Sequence, residues 1–155
     1  MSEASPSTRV PLNLVRGCVV ATAPADVSRE TLDRLRNDLL ERVRETGARR
    51  VLVDVSAVAL MDTEDFRALL QLVAAASLMG ARTIMAGLQP GVVSALIELG
   101  VEAPALETAL DIDDGFERLE TAREQGAAQD GDPFGEDAFG DGASDGAASQ
   151  DGGAA

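Results

Sequence analysis

Val51-Leu-Val-Asp-Val-Ser-Ala-Val-Ala-Leu-Met-Asp-Thr-Glu-Asp-Phe66 joins an apolar, β-branched run to the opening of an amphipathic helix pattern. Arg50 to Val55 is apolar almost throughout, which predicts a strand covered on both faces. From about Thr63 to Met79 apolar residues recur at helical spacing, and Gly80 closes the run. Between them Asp62-Thr63 sets a hydroxyl at a strand-to-helix corner. Thr63 has two readings there. As a helix cap its oxygen accepts a bond from an early helix N–H, worth about 1 kcal/mol. As a phosphate acceptor it sits where one added charge alters a whole surface. Glu64 and Asp65 favour the helix dipole in either case, so capping alone accounts for the tripeptide.

The same alternation of strand and helix patterns continues on both sides. Leu12 to Val15 and Cys18 to Thr22 flank Arg16-Gly17, a hairpin or bent strand. Ser28 can cap a helix whose Leu32, Leu35, Leu39 and Val43 share one face, with Gly47 beyond its end. Arg82 to Ala86 reads as a strand, Pro90 to Leu99 as a helix with proline in its first turn, and Leu106 to Leu110 as a short last strand. A final helix begins at Asp113 or Asp114 and runs through Phe116 and Leu119 to about Arg123. Strands alternating with helices at this spacing predict an α/β fold with a largely parallel sheet packed by about four helices. A flexible arm (1–8), one domain (9–123) and a tail (124–155) are expected. The tail is Gly, Ala, Asp and Ser with eight acids and no base, a composition that predicts disorder. Its Asp-Pro-Phe-Gly (132–135) and Asp-Ala-Phe-Gly (137–140) hold two of the chain's four phenylalanines, and form a candidate docking motif in an otherwise solubilising segment.

Composition limits the chemistry. The chain has no histidine or lysine, so all 13 basic residues are arginine, and its net charge is −14. Such a surface repels phosphate backbones and argues against nucleic-acid binding. Asp54 and Asp62 resemble the acid pair of a phosphoacceptor or metal site, but a receiver domain would also need a lysine after its last strand. The expected roles are therefore turn-bonding for Asp54 and shaping of the Thr63 corner for Asp62. No Walker loop and no Ser–His or Cys–His pair can be assembled, so neither an enzyme nor a cofactor is expected. A small acid-dependent hydrolase or phosphotransferase is the remaining enzymatic alternative. The single cysteine, Cys18, lies in an apolar run and reads as a buried, inert thiol. The N-terminus lacks the marks of a signal peptide, and Ala68 to Met79 falls well short of the roughly 20 residues of a membrane span. A cytoplasmic, soluble protein is expected.

Three blocks resemble STAS domains, and within them the RsbS-type antagonists of stressosomes: Glu45-Thr-Gly-Ala-Arg-Arg-Val-Leu-Val-Asp-Val-Ser56, Met61-Asp62-Thr63, and Gly87-Leu-Gln-Pro-Gly-Val-Val-Ser-Ala-Leu-Ile-Glu-Leu-Gly-Val101 followed by Glu107-Thr-Ala-Leu-Asp-Ile112. The resemblance spans most of residues 9–120. It implies a mixed sheet, phosphorylation at Thr63 by a switch serine/threonine kinase, and assembly with STAS paralogues in a large hetero-oligomer. A stand-alone anti-anti-sigma factor binding an anti-sigma kinase is the alternative within the family. The chain departs from the antagonist pattern in carrying threonine rather than serine at the phosphosite, acids at Glu64 and Asp65, and an acidic tail. The expected docking surface is Asp62, Thr63, Glu64, Asp65 and Phe66, with Ser56 and Thr83 as secondary hydroxyl sites.

Overall fold

The computed structural model describes residues 10–102 and 106–129. Five strands form one sheet in the order β1 (Leu12–Val15), β2 (Cys18–Thr22), β3 (Arg50–Asp54), β4 (Arg82–Ala86) and β5 (Thr108–Ala109). β1 runs antiparallel to β2, and all the other pairings are parallel. The helices are α1 (Arg29–Thr46), α2 (Thr63–Leu78), α3 (Pro90–Glu98) and α4 (Ile112–Gln129). Among the described residues this is the largely parallel α/β sheet with four helices that the residue pattern predicts, and it is mixed as the resemblance implies.

The β1–β2 connection is a two-residue hairpin with positive φ at both Arg16 and Gly17, as a type I′ turn requires. Strand alternation then divides the core in two. Val19, Ala21, Val51, Val53 and Met85 face one side, beneath Leu35 and Leu39 of α1, Leu69 and Leu72 of α2, and Val92 and Leu96 of α3. Cys18, Val20, Leu52, Ile84, Ala86 and Ala109 face the other, where Leu119 of α4 covers them. Because helices lie on both faces, β3 and β4 are buried on both, through Val51-Leu-Val53 and Ile84-Met-Ala86. Ser28 caps α1 by accepting a bond from the Thr31 N–H, and Gly47 closes it, as expected. Cys18 is fully buried, and desolvation pushes its thiol up to about 11 against the opposing charge of Arg50.

Two boundaries differ from expectation. β5 pairs only over Thr108–Ala109 rather than Leu106–Leu110. Leu110, 83 % exposed, lies outside the paired register. α4 continues to Gln129, past the boundary expected at 123. The helix-favouring Glu124, Gln125, Ala127 and Ala128 extend it into what composition alone grouped with the tail. The expected arm, and the rest of the tail with its two phenylalanines, lie outside the described residues.

Candidate functional site

In a parallel sheet the loops that leave the carboxyl ends of the strands collect at one edge. There the chain turns out of β3, runs through residues 55–62 and enters α2. Asp54 Oδ1 accepts the Ser56 N–H at 2.9 Å, folding the chain sharply as it leaves the strand. The Ser56 carbonyl accepts from Gln89 Nε2 at 2.7 Å, which ties this loop to the entry of α3. Gly87, at the end of β4, has φ +80° and approaches Ser56 so closely that a Cβ there would stand 2.8 Å from Ser56 Cβ. Only glycine satisfies both conditions.

The entry to α2 shows which residue caps the helix. Asp62, not Thr63, is the N-cap. Its Oδ1 accepts the Asp65 N–H at 2.8 Å, and its own N–H donates to Asp65 Oδ2 at 3.3 Å, a reciprocal capping box. Asp62 is in the extended conformation that capping demands, φ −92° and ψ 178°, whereas Thr63 is the first helical residue. Of the two readings of Thr63, the one as helix cap is therefore corrected. With a carboxylate one residue earlier taking the bond, Thr63 Oγ1 has no hydrogen-bond partner among the described residues. Thr63 is half-buried and lines a hollow of about 360 Å³ with Arg67, Leu70, Leu99, Val101 and Glu102.

The charge around Thr63 is less uniformly acidic than the sequence suggests. Glu64 is exposed, 3.3 Å from Arg29 Nη1 of α1 and 3.0 Å from Arg67 Nη1 of α2. Asp65 is the strained member. Desolvation raises its pKa, with the charges of Asp62 and Glu64 adding to the rise and a bond from the Asp62 backbone opposing it. Phe66, expected at the docking surface, is 3 % exposed and packs into the core. Its edge forms part of the floor of a second hollow, about 500 Å³, walled by Val93 and Ile97 of α3, Leu106 and Leu110. Val101 lines both hollows, so they adjoin.

Of the secondary candidates, Ser56 is exposed beside Gly87. Thr83 is buried on β4, with its hydroxyl unpartnered and out of reach of any enzyme, and is therefore excluded as a modification site. Residue type alone left Arg67, Leu99 and Ile97 unassigned. Arg67 was discoverable, because the i+4 position shares a helix face with Thr63. Ile97 (70 % exposed) and Leu99 had a signal too, since α3 is apolar beyond the stripe that Val92 and Leu96 bury. No helix among the described residues is long and apolar enough to cross a membrane.

Solved structures share this arrangement. RsbS from Moorella thermoacetica superposes with a TM-score of 0.66 at 23% identity, over 76% of this chain and 99% of that one. A chain from the stressosome, described as a signal integration and transduction hub, gives 0.64 at 22% over 73% and 98%. The anti-sigma factor antagonist SpoIIAA in its unphosphorylated form gives 0.55 at 16% over 74% and 96%. At these identities the likeness is one of fold. No curated protein matches the sequence. The profile of the STAS domain matches residues 9–114, well over half of the chain, and the chain belongs to the STAS domain family.

Proposed function

We propose that this chain is a non-enzymatic antagonist of the stressosome type in a sigma-factor partner-switching pathway. It assembles with STAS paralogues, holds a switch serine/threonine kinase against the first turn of α2, and releases it when Thr63 is phosphorylated. The observation that carries this reading is the division of labour at the corner: Asp62 caps the helix, which leaves the Thr63 hydroxyl uncommitted beside an open hollow. The fold shared with RsbS and SpoIIAA supports it.

A phosphate on Thr63 would add about −1.5 to −2 charges at pH 7. The N–H groups of the first turn of α2 and the guanidinium of Arg67 favour it there, so the fold tolerates the group. A partner seated over Asp62, Glu64 and the apolar wall of Leu99 and Val101 meets new charge and has to desolvate it. Release of that partner is the expected result. Incubation with kinase and ATP should place one phosphate on Thr63, and Thr63→Asp should capture the kinase at least about tenfold less than wild type or Thr63→Ala, a difference of roughly 1.4 kcal/mol. Equal capture by all three proteins would defeat the proposal.

A further inference from the structure

The opposite edge of the sheet carries a feature that the partner-switching role does not use. Where β3 and β4 begin, Arg49, Arg50 and Arg82 line a hollow of about 490 Å³ together with Arg123 of α4, over a floor that includes Leu14 and Leu119. Four of the 13 arginines of a chain with net charge −14 thus converge on one apolar-floored site. Two of them are committed: Arg82 pairs with Glu107, and Arg50 donates to the Arg16 carbonyl. Arg49 and Arg123 are exposed and have no carboxylate partner among the described residues. An arginine rim around an apolar floor is complementary to an acidic segment bearing hydrophobic side chains.

This chain contains such a segment at the right place. α4 passes the hollow at Leu119 and Arg123 and ends at Gln129, about 9 Å farther along the axis at 1.5 Å per residue. The 26 residues that follow, 130–155, contain seven acids and no base. Phe134 and Phe139 lie five and ten residues beyond Gln129, so they reach about 17 and 35 Å at full extension. Both can return to the hollow, each flanked by acids: Asp130 and Asp132 before Phe134, Glu136 and Asp137 before Phe139.

We infer that residues 130–142 fold back onto their own domain, with a phenylalanine on the Leu14–Leu119 floor and the neighbouring carboxylates on Arg49 and Arg123. The tail is then an intramolecular cover for a basic edge that would otherwise attract unrelated anionic partners.

Chymotrypsin cleavage after Phe134 and Phe139 in the full chain, located by mass spectrometry, tests this. Each rate is taken relative to a free peptide of residues 130–142 at the same salt. At about 20 mM salt the full chain should be cut at least about fivefold more slowly than the peptide, and at about 0.5 M salt the protection should vanish. The full-chain variant Arg49→Glu/Arg123→Glu should lose the protection. So should Asp130→Asn/Asp132→Asn/Glu136→Gln/Asp137→Asn, whose changes all lie beyond the end of α4. The protection should be constant over about a hundredfold range of protein concentration, because a tethered segment acts at an effective millimolar concentration. Cleavage at the peptide's rate at low salt would overturn the inference. Protection that grows with protein concentration would also overturn it, and would assign the hollow to the tail of a second copy. Protection unchanged in both variants would show that the arginine-lined hollow is not the site.

Discussion

Replacing Asp62 and Thr63 by alanine one at a time separates the structural work of the corner from the regulatory work proposed for it. Asp62→Ala removes the acceptor of the 2.8 Å bond from the Asp65 N–H. Loss of an N-cap costs about 1 kcal/mol and up to about 2, and loss of an acid at the helix N-terminus adds about 0.3–1 kcal/mol. Removing the Asp62 charge also relieves Asp65, whose carboxyl carries part of that repulsion, and offsets a small share of the cost. The net cost expected for Asp62→Ala is about 1–1.5 kcal/mol. Thr63→Ala breaks no hydrogen bond present among the described residues. It gains about half a kcal/mol of helix propensity and loses a half-buried methyl of similar worth, so the expected change is within about 0.5 kcal/mol of zero. The chain has no tryptophan or tyrosine, so urea unfolding is followed by far-ultraviolet circular dichroism. With a slope near 2 kcal/mol per molar, Asp62→Ala lowers the midpoint by about 0.5–0.75 M, and Thr63→Ala leaves it nearly unchanged. If Thr63→Ala is as costly as Asp62→Ala, the hydroxyl is capping the helix after all, and the uncommitted oxygen on which the switch depends does not exist.

Gly87→Ala should destabilise the fold by about 2 kcal/mol, combining a left-handed φ with a Cβ driven into Ser56; a midpoint equal to wild type would contradict the geometry. The Cys18 thiol, buried and raised to about 11, should react with a disulfide reagent at pH 8 only as fast as the protein unfolds, which stopped-flow absorbance reads directly. Glu107 is held below the usual glutamate range by its bond to Arg82, so its contribution is present above pH 4.5 and is lost as pH falls through its lower folded value. Glu107→Gln should therefore flatten the acid limb of the stability curve, by a few tenths of a kcal/mol because the pair is exposed. Asp65 has the opposite sign: its raised pKa means that its contribution is greatest at acid pH and is lost as pH climbs through that value. Asp65→Asn should gain stability relative to wild type as pH rises above 3.8, and a difference that stays constant with pH would refute the assignment.

Much of the architecture was legible in the residues because it depends on near neighbours in the chain. The stripe Leu32, Leu35, Leu39 and Val43 needs only the 3.6-residue period to be read as one buried face, and the unbroken apolar run of β3 already implies cover on both sides. Ser28 and Gly47 announce the ends of α1 by their own chemistry. The loop-to-helix corner at Asp62 to Asp65 was legible for the same reason. Tertiary structure decided which group does what within it. Asp62 and Thr63 are both good capping residues, and the choice fell on the one whose backbone is still extended when the loop from β3 delivers the chain to α2. Phe66 became core and Thr83 became inaccessible only through what packs over them. Leu106 to Leu110 carries a strand pattern, yet β5 pairs with β4 over Thr108–Ala109 alone. The hollows lie further still from sequence. Arg49 and Arg82 come together only because β3 and β4 pair in parallel register from Arg50↔Arg82, and Arg123 joins them only because α4 crosses beneath. Local preference is written in adjacent residues; a site assembled from three distant segments exists only once burial of the core has fixed where those segments lie.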